Sequence, residues 1–215
     1  MKLYVAKFTY NPFQENTFIV YSESKNAVVF DPGCFDEAEQ QHLDAFIAEK
    51  GLNLLAILGT HAHLDHAFGV NYIMDKYKVP YYLHADDVVT LNNFEMSGAK
   101  YGISGLTARY QPTHFLTHEQ DLVLGDIEFK VLHTPGHAPG HVVFYNEANS
   151  FVINGDVLFA GSYGRTDLPG SNHSQLVHSI EKVMFNLPDD TLVCTGHGPE
   201  TTIGRERQSN PILSH

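Results

Sequence analysis

The segment Leu54-Leu55-Ala56-Ile57-Leu58 is an unbroken apolar run of strand length, and after Gly59 it gives way to Thr60-His61-Ala62-His63-Leu64-Asp65-His66. A strand without a polar face has to be covered on both sides, so the run predicts a central strand of a layered fold. The H-x-H-x-D-H string packs four metal-competent side chains into six residues. It sits where a buried strand gives way to a helix, a place where functional side chains collect. In an extended segment His61 and His63 project to the same side and share one cation, while the turn redirects Asp65 and His66, which makes room for two adjacent metal positions. Imidazole and carboxylate ligands suit zinc, iron or manganese. The absence of thiolate argues against a closed structural zinc site and for an open catalytic one.

The patterns on either side of this run define the fold class. Tyr4 to Tyr10, Thr17 to Tyr21 and Ala27 to Phe30 read as short strands separated by turn-forming Asn, Pro, Glu and Ser, so the chain opens as an antiparallel meander. After the Asp31-Pro32-Gly33 turn, Leu43, Phe46 and Ile47 fall at helical spacing within Glu37 to Lys50, with Gly51 placed as a C-cap. Val70, Ile73, Met74 and Tyr77 mark a second helix stopped near Pro80, and Leu176, Ile180, Val183 and Leu187 mark a later one. Between them, Leu122-Val123-Leu124 and the alternating Ile127, Phe129 and Val131 flank Gly125-Asp126 as a hairpin; His141 to Tyr145 and Phe151 to Asn154 continue the strands. Sheet, helices, sheet, helices predicts an α/β sandwich with the helices outside. No Pro/Gly/Ser-rich linker divides it, so residues 1–215 are expected to form one domain.

Three further ligand types stand at the ends of predicted strands: His137 in Thr134-Pro135-Gly136-His137, Asp156 in Asn154-Gly155-Asp156, and His197 in Thr195-Gly196-His197-Gly198. Each follows a glycine, which lets the backbone turn sharply at the sheet edge. Singly, each reads as an ordinary turn residue; together with the H-x-H-x-D-H string they converge on one cleft. Composition narrows the partners. A formal net charge of -12 with only 13 Lys and Arg spread along the chain argues against nucleic acid. No run approaches the roughly eighteen apolar residues of a membrane span, and the N-terminus lacks a signal-peptide core, so a soluble cytoplasmic protein with no membrane partner is expected. Cys34 and Cys194 are too few and too far apart for a disulfide framework and read as buried thiols.

This constellation resembles the metallo-β-lactamase superfamily, whose H-x-H-x-D-H signature, later His, later Asp and final His are matched at every ligand position. The resemblance covers essentially the whole chain and implies an αββα four-layer sandwich with mixed sheets. By that resemblance His61, His63 and His137 hold the first of two divalent metal ions, most readily zinc, and Asp65, His66 and His197 the second. The Asp156 carboxylate then bridges them. Gly155-Asp156-Val157-Leu158-Phe159-Ala160-Gly161-Ser162, Gly164-Arg165-Thr166-Asp167-Leu168-Pro169-Gly170 and Gly196-His197-Gly198-Pro199-Glu200-Thr201-Thr202 look like the glyoxalase II branch. They are closest to its short bacterial forms, since only eighteen residues follow His197 where full-length members carry a helical region that helps hold glutathione. The implied activity is hydrolysis of a small-molecule thioester, S-lactoylglutathione or a related one, by metal-activated hydroxide, with His63, Asp65 and Asp156 central to catalysis and Asp65 orienting the water.

No G-x-S-x-G elbow or Cys/His pair offers a side-chain nucleophile instead. Arg165 reads either as a clamp on a substrate carboxylate or as a loop anchor. Tyr163 and His173, beside the same loop, read as substrate contacts or as packing residues. His141 is placed to hydrogen-bond behind a ligand, whereas His42, His84, His114, His118, His133, His178 and His215 read as surface or packing histidines. A persulfide dioxygenase of the same fold, with one iron facing His63, His137 and Asp156, is the alternative. The complete second ligand set favours hydrolysis over it and over a non-enzymatic module. β-Lactam hydrolysis is disfavoured by Asp156, and a nuclease by charge.

Overall fold

The first three strands, β1 (Leu3–Tyr10), β2 (Glu15–Ser22) and β3 (Asn26–Phe30), pair antiparallel in the computed structural model, which describes residues 2–214. Helix α1 (Glu37–Lys50) then crosses to β4 (Asn53–Leu58), which lies parallel to β3. The helix starts where Asp36 accepts the Glu39 N–H at 2.9 Å and stops at Gly51, whose φ of 63° places it in the left-handed region that glycine enters freely. Short α2 (Leu64–Ala67) and α3 (Val70–Tyr77) lead to β5 (Tyr81–His84), and α4 (Val88–Asn92) and α5 (Phe94–Lys100) lead to β6 (His114–Leu116). The first sheet runs β1-β2-β3-β4-β5-β6, so the apolar run Leu54–Leu58 is a central strand as expected.

The second sheet begins with β7 (Gln120–Leu124) and β8 (Ile127–His133), a hairpin turning on Gly125-Asp126, and adds β9 (Val142–Asn146) and β10 (Phe151–Gly155). A two-strand ribbon, β11 (Leu158–Phe159) and β12 (Ser162–Tyr163), and helix α6 (His173–Lys182) precede β13 (Leu192–Thr195) and β14 (Thr201–Thr202); α7 (Ile203–Ser209) follows. The order is β14-β13-β10-β9-β8-β7, and β10 is parallel to β13 in an otherwise antiparallel sheet. The helix expected to run through Leu187 is shorter. It ends at Lys182, a 3-10 turn spans Met184–Asn186, and Leu187 is extended at ψ 154°, because Pro188 follows and disfavours the helical conformation in the residue before it.

Three apolar layers hold the four structural layers together. Leu43, Ile47, Leu54, Ile57 and Ile73 fill the space between the first sheet and its helices. Phe18, Phe30, Leu58, Phe129, Phe144 and Ile153 fill the space between the two sheets, and Val143, Val152, Leu176, Ile180 and Val193 lie between the second sheet and its helices. This is the αββα sandwich with mixed sheets. Strands β4, β8, β10 and β13 all end at one edge, and the loops leaving those ends carry the candidate ligands. Among the described residues, no helix is long and apolar enough to cross a membrane.

Candidate metal centre

His61, His63 and His137 each present one ligand atom within 4.8 Å of the others, and so do Asp65, His66 and His197. Asp156 stands between the two sets. Its Oδ1 is 3.5 Å from His66 Nε2, and its Oδ2 is 3.5 Å from both His137 Nε2 and His197 Nε2. Asp65 Oδ2 lies 3.2 Å from His197 Nε2 and 3.7 Å from His66 Nε2. Glycine makes this convergence sterically feasible at two points. Gly155 turns the chain at φ 53°, and a Cβ on Gly196 would be driven into Asp156 Oδ1.

The outer ring nitrogens show how each imidazole is aimed. His137 Nδ1 donates to the Arg165 carbonyl at 2.9 Å and His197 Nδ1 to the Phe13 carbonyl at 3.1 Å. His61 Nδ1 donates to Thr60 Oγ1 at 3.0 Å, and that hydroxyl donates to Asp31 Oδ2 at 2.5 Å. His66 Nδ1 donates to the same Asp31 oxygen at 3.2 Å. Four imidazoles therefore turn Nε2 inward, and His63 closes the first set with its Nδ1 2.8 Å from His137 Nε2. Such outer partners set the tautomer of a metal-binding histidine. His141, stacked on His61 at 4.7 Å, accepts the Asp156 backbone N–H at 3.1 Å, so it supports a candidate ligand through the main chain.

Charge divides between the two sets. Burial together with the neighbouring His137 holds His63 down to about 3, and burial keeps His61 and His137 low as well, so the first set is neutral. In the second set burial disfavours charge, but Asp156 and Asp65 hold His66 well above its ordinary value, and a hydrogen bond to Asp65 raises His197. Asp65 and Asp156 are correspondingly held low by His66 against the opposing effect of burial. The buried His61 Nε2, His66 Nε2 and Asp156 Oδ1 have no hydrogen-bond partner. Each orphaned group costs about 1–3 kcal/mol, and divalent cations at the two sets would satisfy them, so this donor set fits metal.

Several residues that position the site carry no signal in the local sequence. Asp31, in what reads as a plain Asp-Pro-Gly turn, also accepts the Thr60 N–H at 2.7 Å. Glu15 is fully buried, with Oε1 unpartnered and 3.9 Å from His66 Nδ1. Asn16 donates to the carbonyls of Thr195 at 3.0 Å and Gly198 at 2.9 Å, fastening the loop that carries His197. Asp87 accepts the Ala62 N–H, and the Gly140 N–H at 3.2 Å, and burial raises its carboxyl to about 6. Asp31 directly follows β3 and Asp87 closes the short 3-10 turn after β5, the two strands that flank β4, and an acidic residue soon after each is the pattern that could have flagged them.

A cleft of about 550 Å³ opens over the ligands, lined by His63, Asp65, His137, Asp156 and His197 together with Phe13, Leu64, Met96, Tyr101 and Phe159. Tyr163 and Arg165 line it too. The Arg165 guanidinium forks onto Asp167, with Nε–Oδ1 at 2.6 Å and a second nitrogen to Oδ2 at 2.7 Å, and its backbone carbonyl holds His137. His173 lies outside the lining, its ring 6.0 Å from that of Tyr163.

The chain belongs to the metallo-beta-lactamase superfamily, whose family model matches residues 10–197. It is 38% identical over 204 residues to the probable metallo-hydrolase YqgX of Bacillus subtilis, covering 94% of each chain. It is 34% identical over 204 residues to the hydroxyacylglutathione hydrolase GloC of Haemophilus influenzae, again covering 94% of each. Among solved structures it is similar to the BLEG-1 B3 metallo-beta-lactamase, with a TM-score of 0.91, 39% identity and coverage of 99% of this chain and 100% of that one. It is also similar to TTHA1623 in a di-iron-bound form, with a TM-score of 0.86, 38% identity and coverage of 97% and 100%.

Two consequences can be measured. Replacing Asp31 with Ala frees the His66 ring and weakens metal binding by about 10–100-fold; titration against a competing chelator reads this, and unchanged affinity would show that Asp31 does not orient His66. Because the carboxylates favour the protonated forms of His66 and His197, a cation at that set competes with protons. Acidification from about pH 8 to about pH 5 therefore strips this set before His61, His63 and His137, whose nitrogens stay unprotonated. Metal content after dialysis across that range should fall in one stage, by the ion of the second set alone, and loss of both ions together would overturn this order.

Proposed function

We propose that this chain is a binuclear metal-dependent thioesterase of glyoxalase II type, acting on S-lactoylglutathione or a related small acyl thioester. The reading rests above all on Asp156, whose two oxygens face His66 on one side and His137 and His197 on the other, each at 3.5 Å. One carboxylate between two three-residue sets is a two-metal donor arrangement. His61, His63 and His137 would hold one divalent ion, Asp65, His66 and His197 the other, and Asp156 both. Zinc suits these donors, and iron or manganese also fits. Bound divalent metals would polarise the thioester carbonyl and acidify water.

The protein's own residues supply the remainder. Asp65 is held in its ionised form and faces the cleft, so it orients an attacking water, accepts its proton and passes that proton to the departing thiolate. Phe13, Leu64, Tyr101, Phe159 and Tyr163 give apolar walls for the acyl and thiol portions and keep bulk water from the reacting carbonyl. The thiol leaves, carrying a proton. The 34% identity to GloC supports the glutathione thioester as the first substrate to try.

The deciding experiment follows thiol release from S-D-lactoylglutathione by purified protein of assayed metal content, beside the His63→Ala variant. Turnover that disappears in the variant supports the assignment. No turnover by protein holding two metals per chain overturns it. A single bound iron with oxygen uptake on a persulfide would transfer the assignment to the dioxygenase reading. A β-lactam is the control substrate, given the likeness to BLEG-1.

A further inference from the structure

Outside the cleft, His84, Asp86 and His133 each bring one ligand-capable atom within 4.8 Å of the others. None of the three lines the cavity over the metal centre. His84 is the last residue of β5 in the first sheet and His133 the last of β8 in the second, so the cluster spans the seam between the sheets. The two imidazoles lie face to face, with centroids 4.3 Å apart and planes 10° from parallel. Both are partly exposed, and the Asp86 side chain is 65% exposed with its Oδ2 3.8 Å from His84 Nδ1.

The hydrogen bonds around the pair favour coordination. A carbonyl can only accept, so His133 Nε2 donates to the Pro139 carbonyl at 3.1 Å, and its Nδ1 keeps the free lone pair. An outer hydrogen bond from one ring nitrogen to a backbone carbonyl is how proteins set the tautomer of a metal-ligating histidine. His84 Nδ1 carries its lone pair toward the Asp86 backbone N–H at a long 3.3 Å, a weak bond that a cation at this nitrogen would displace. Burial and the adjacent His133 hold His84 below its ordinary pKa against the pull of Asp86, which favours the neutral imidazole that a cation needs. Two imidazoles and a carboxylate with solvent access form a three-ligand set of the kind that zinc completes with water.

We propose that His84, Asp86 and His133 form an additional divalent-cation site, distinct from the two-metal centre, that braces the end of β5 against the end of β8. Its position gives it structural leverage. Pro139 lies in the loop between β8 and β9 that also carries His137, and Asp87, next to Asp86, clamps Ala62 of the H-x-H-x-D-H loop to Gly140. An ion at the seam therefore holds together the two loops that present the first set of candidate ligands.

The test is titration of the full chain, already loaded at its central site, with Zn²⁺ alone, read by calorimetry, by metal content after gel filtration and by melting temperature. The expected result is one Zn²⁺ per chain more than the central complement, with the melting temperature rising as it binds. Asp86→Asn, at an exposed position that does not threaten folding, and His133→Ala should each weaken that extra ion by about tenfold or more. In Asp86→Asn, which replaces none of the central ligands, the central complement stays as in the native protein. The proposal is overturned if native protein takes up no extra ion, or if native and Asp86→Asn protein bind it with equal affinity.

Discussion

On the proposed thioesterase reading, replacing Asp156 with Ala lowers kcat by about a thousandfold or more, equivalent to about 4 kcal/mol of transition-state stabilisation. The same substitution reduces bound metal from two ions toward one or none. The effect is large because this carboxylate touches both ligand sets, within 3.5 Å of His66, His137 and His197. Removing it leaves His66, raised well above its ordinary pKa by Asp156 and Asp65, as a buried cation short of one of its partners. The circular-dichroism spectrum should stay native-like, since the side chain contributes to no apolar layer. A variant that keeps both metals and turns over within tenfold of the native rate would show that Asp156 does not join the two sites.

The second large effect is on stability rather than chemistry. Phe144 is fully buried between the sheets, its ring 5.1 Å from Phe30 across the interface and 6.2 Å from Phe129. Phe144→Ala opens a cavity there and costs about 3–5 kcal/mol. At roughly 2–4 °C per kcal/mol for a chain of this size, the melting temperature drops by about 6–20 °C. Metal content and kcat at low temperature stay near native, because the cavity lies in the apolar layer and not among the ligands. Thermal melts of metal-loaded protein decide it, and a drop of less than about 2 °C would mean that the two sheets do not depend on this contact.

The two substitutions probe the two levels at which this protein is specified. The apolar layers were legible from local patterns. Helix α1 has its periodicity, its Asp36 cap and its Gly51 stop within one segment, and β7 and β8 are joined by a two-residue Gly-Asp turn, so short-range physics suffices for both. No local pattern marks the elements between Tyr81 and Leu116. Strands β5 and β6 are short, four and three residues, and α4 and α5 have five and seven, too few for a period to show. The overextended reading of α6 has a local cause too: apolar spacing continues to Leu187, but Pro188 overrides it.

The donor inventory His61, His63, Asp65, His66, His137, Asp156 and His197 could be read directly, because each residue sits at a recognisable strand end beside a turn. How the donors are aimed could not. Asp31 reaches His66 across 35 positions and Asn16 reaches Thr195 across 179, and nothing near either residue in the chain announces the contact. His84 and His133 likewise have no shared spacing, and only the pairing of β5 into one sheet and β8 into the other stacks them. By itself the sequence determined the layered fold and which side chains are available as ligands, since periodicity and turn chemistry act over a few residues. Tertiary structure alone decided which nitrogen of each imidazole faces the centre, which carboxylates are buried behind them and which histidines meet at the seam. Those outcomes depend on hydrogen bonds and packing between segments that come together only when the two sheets close on each other.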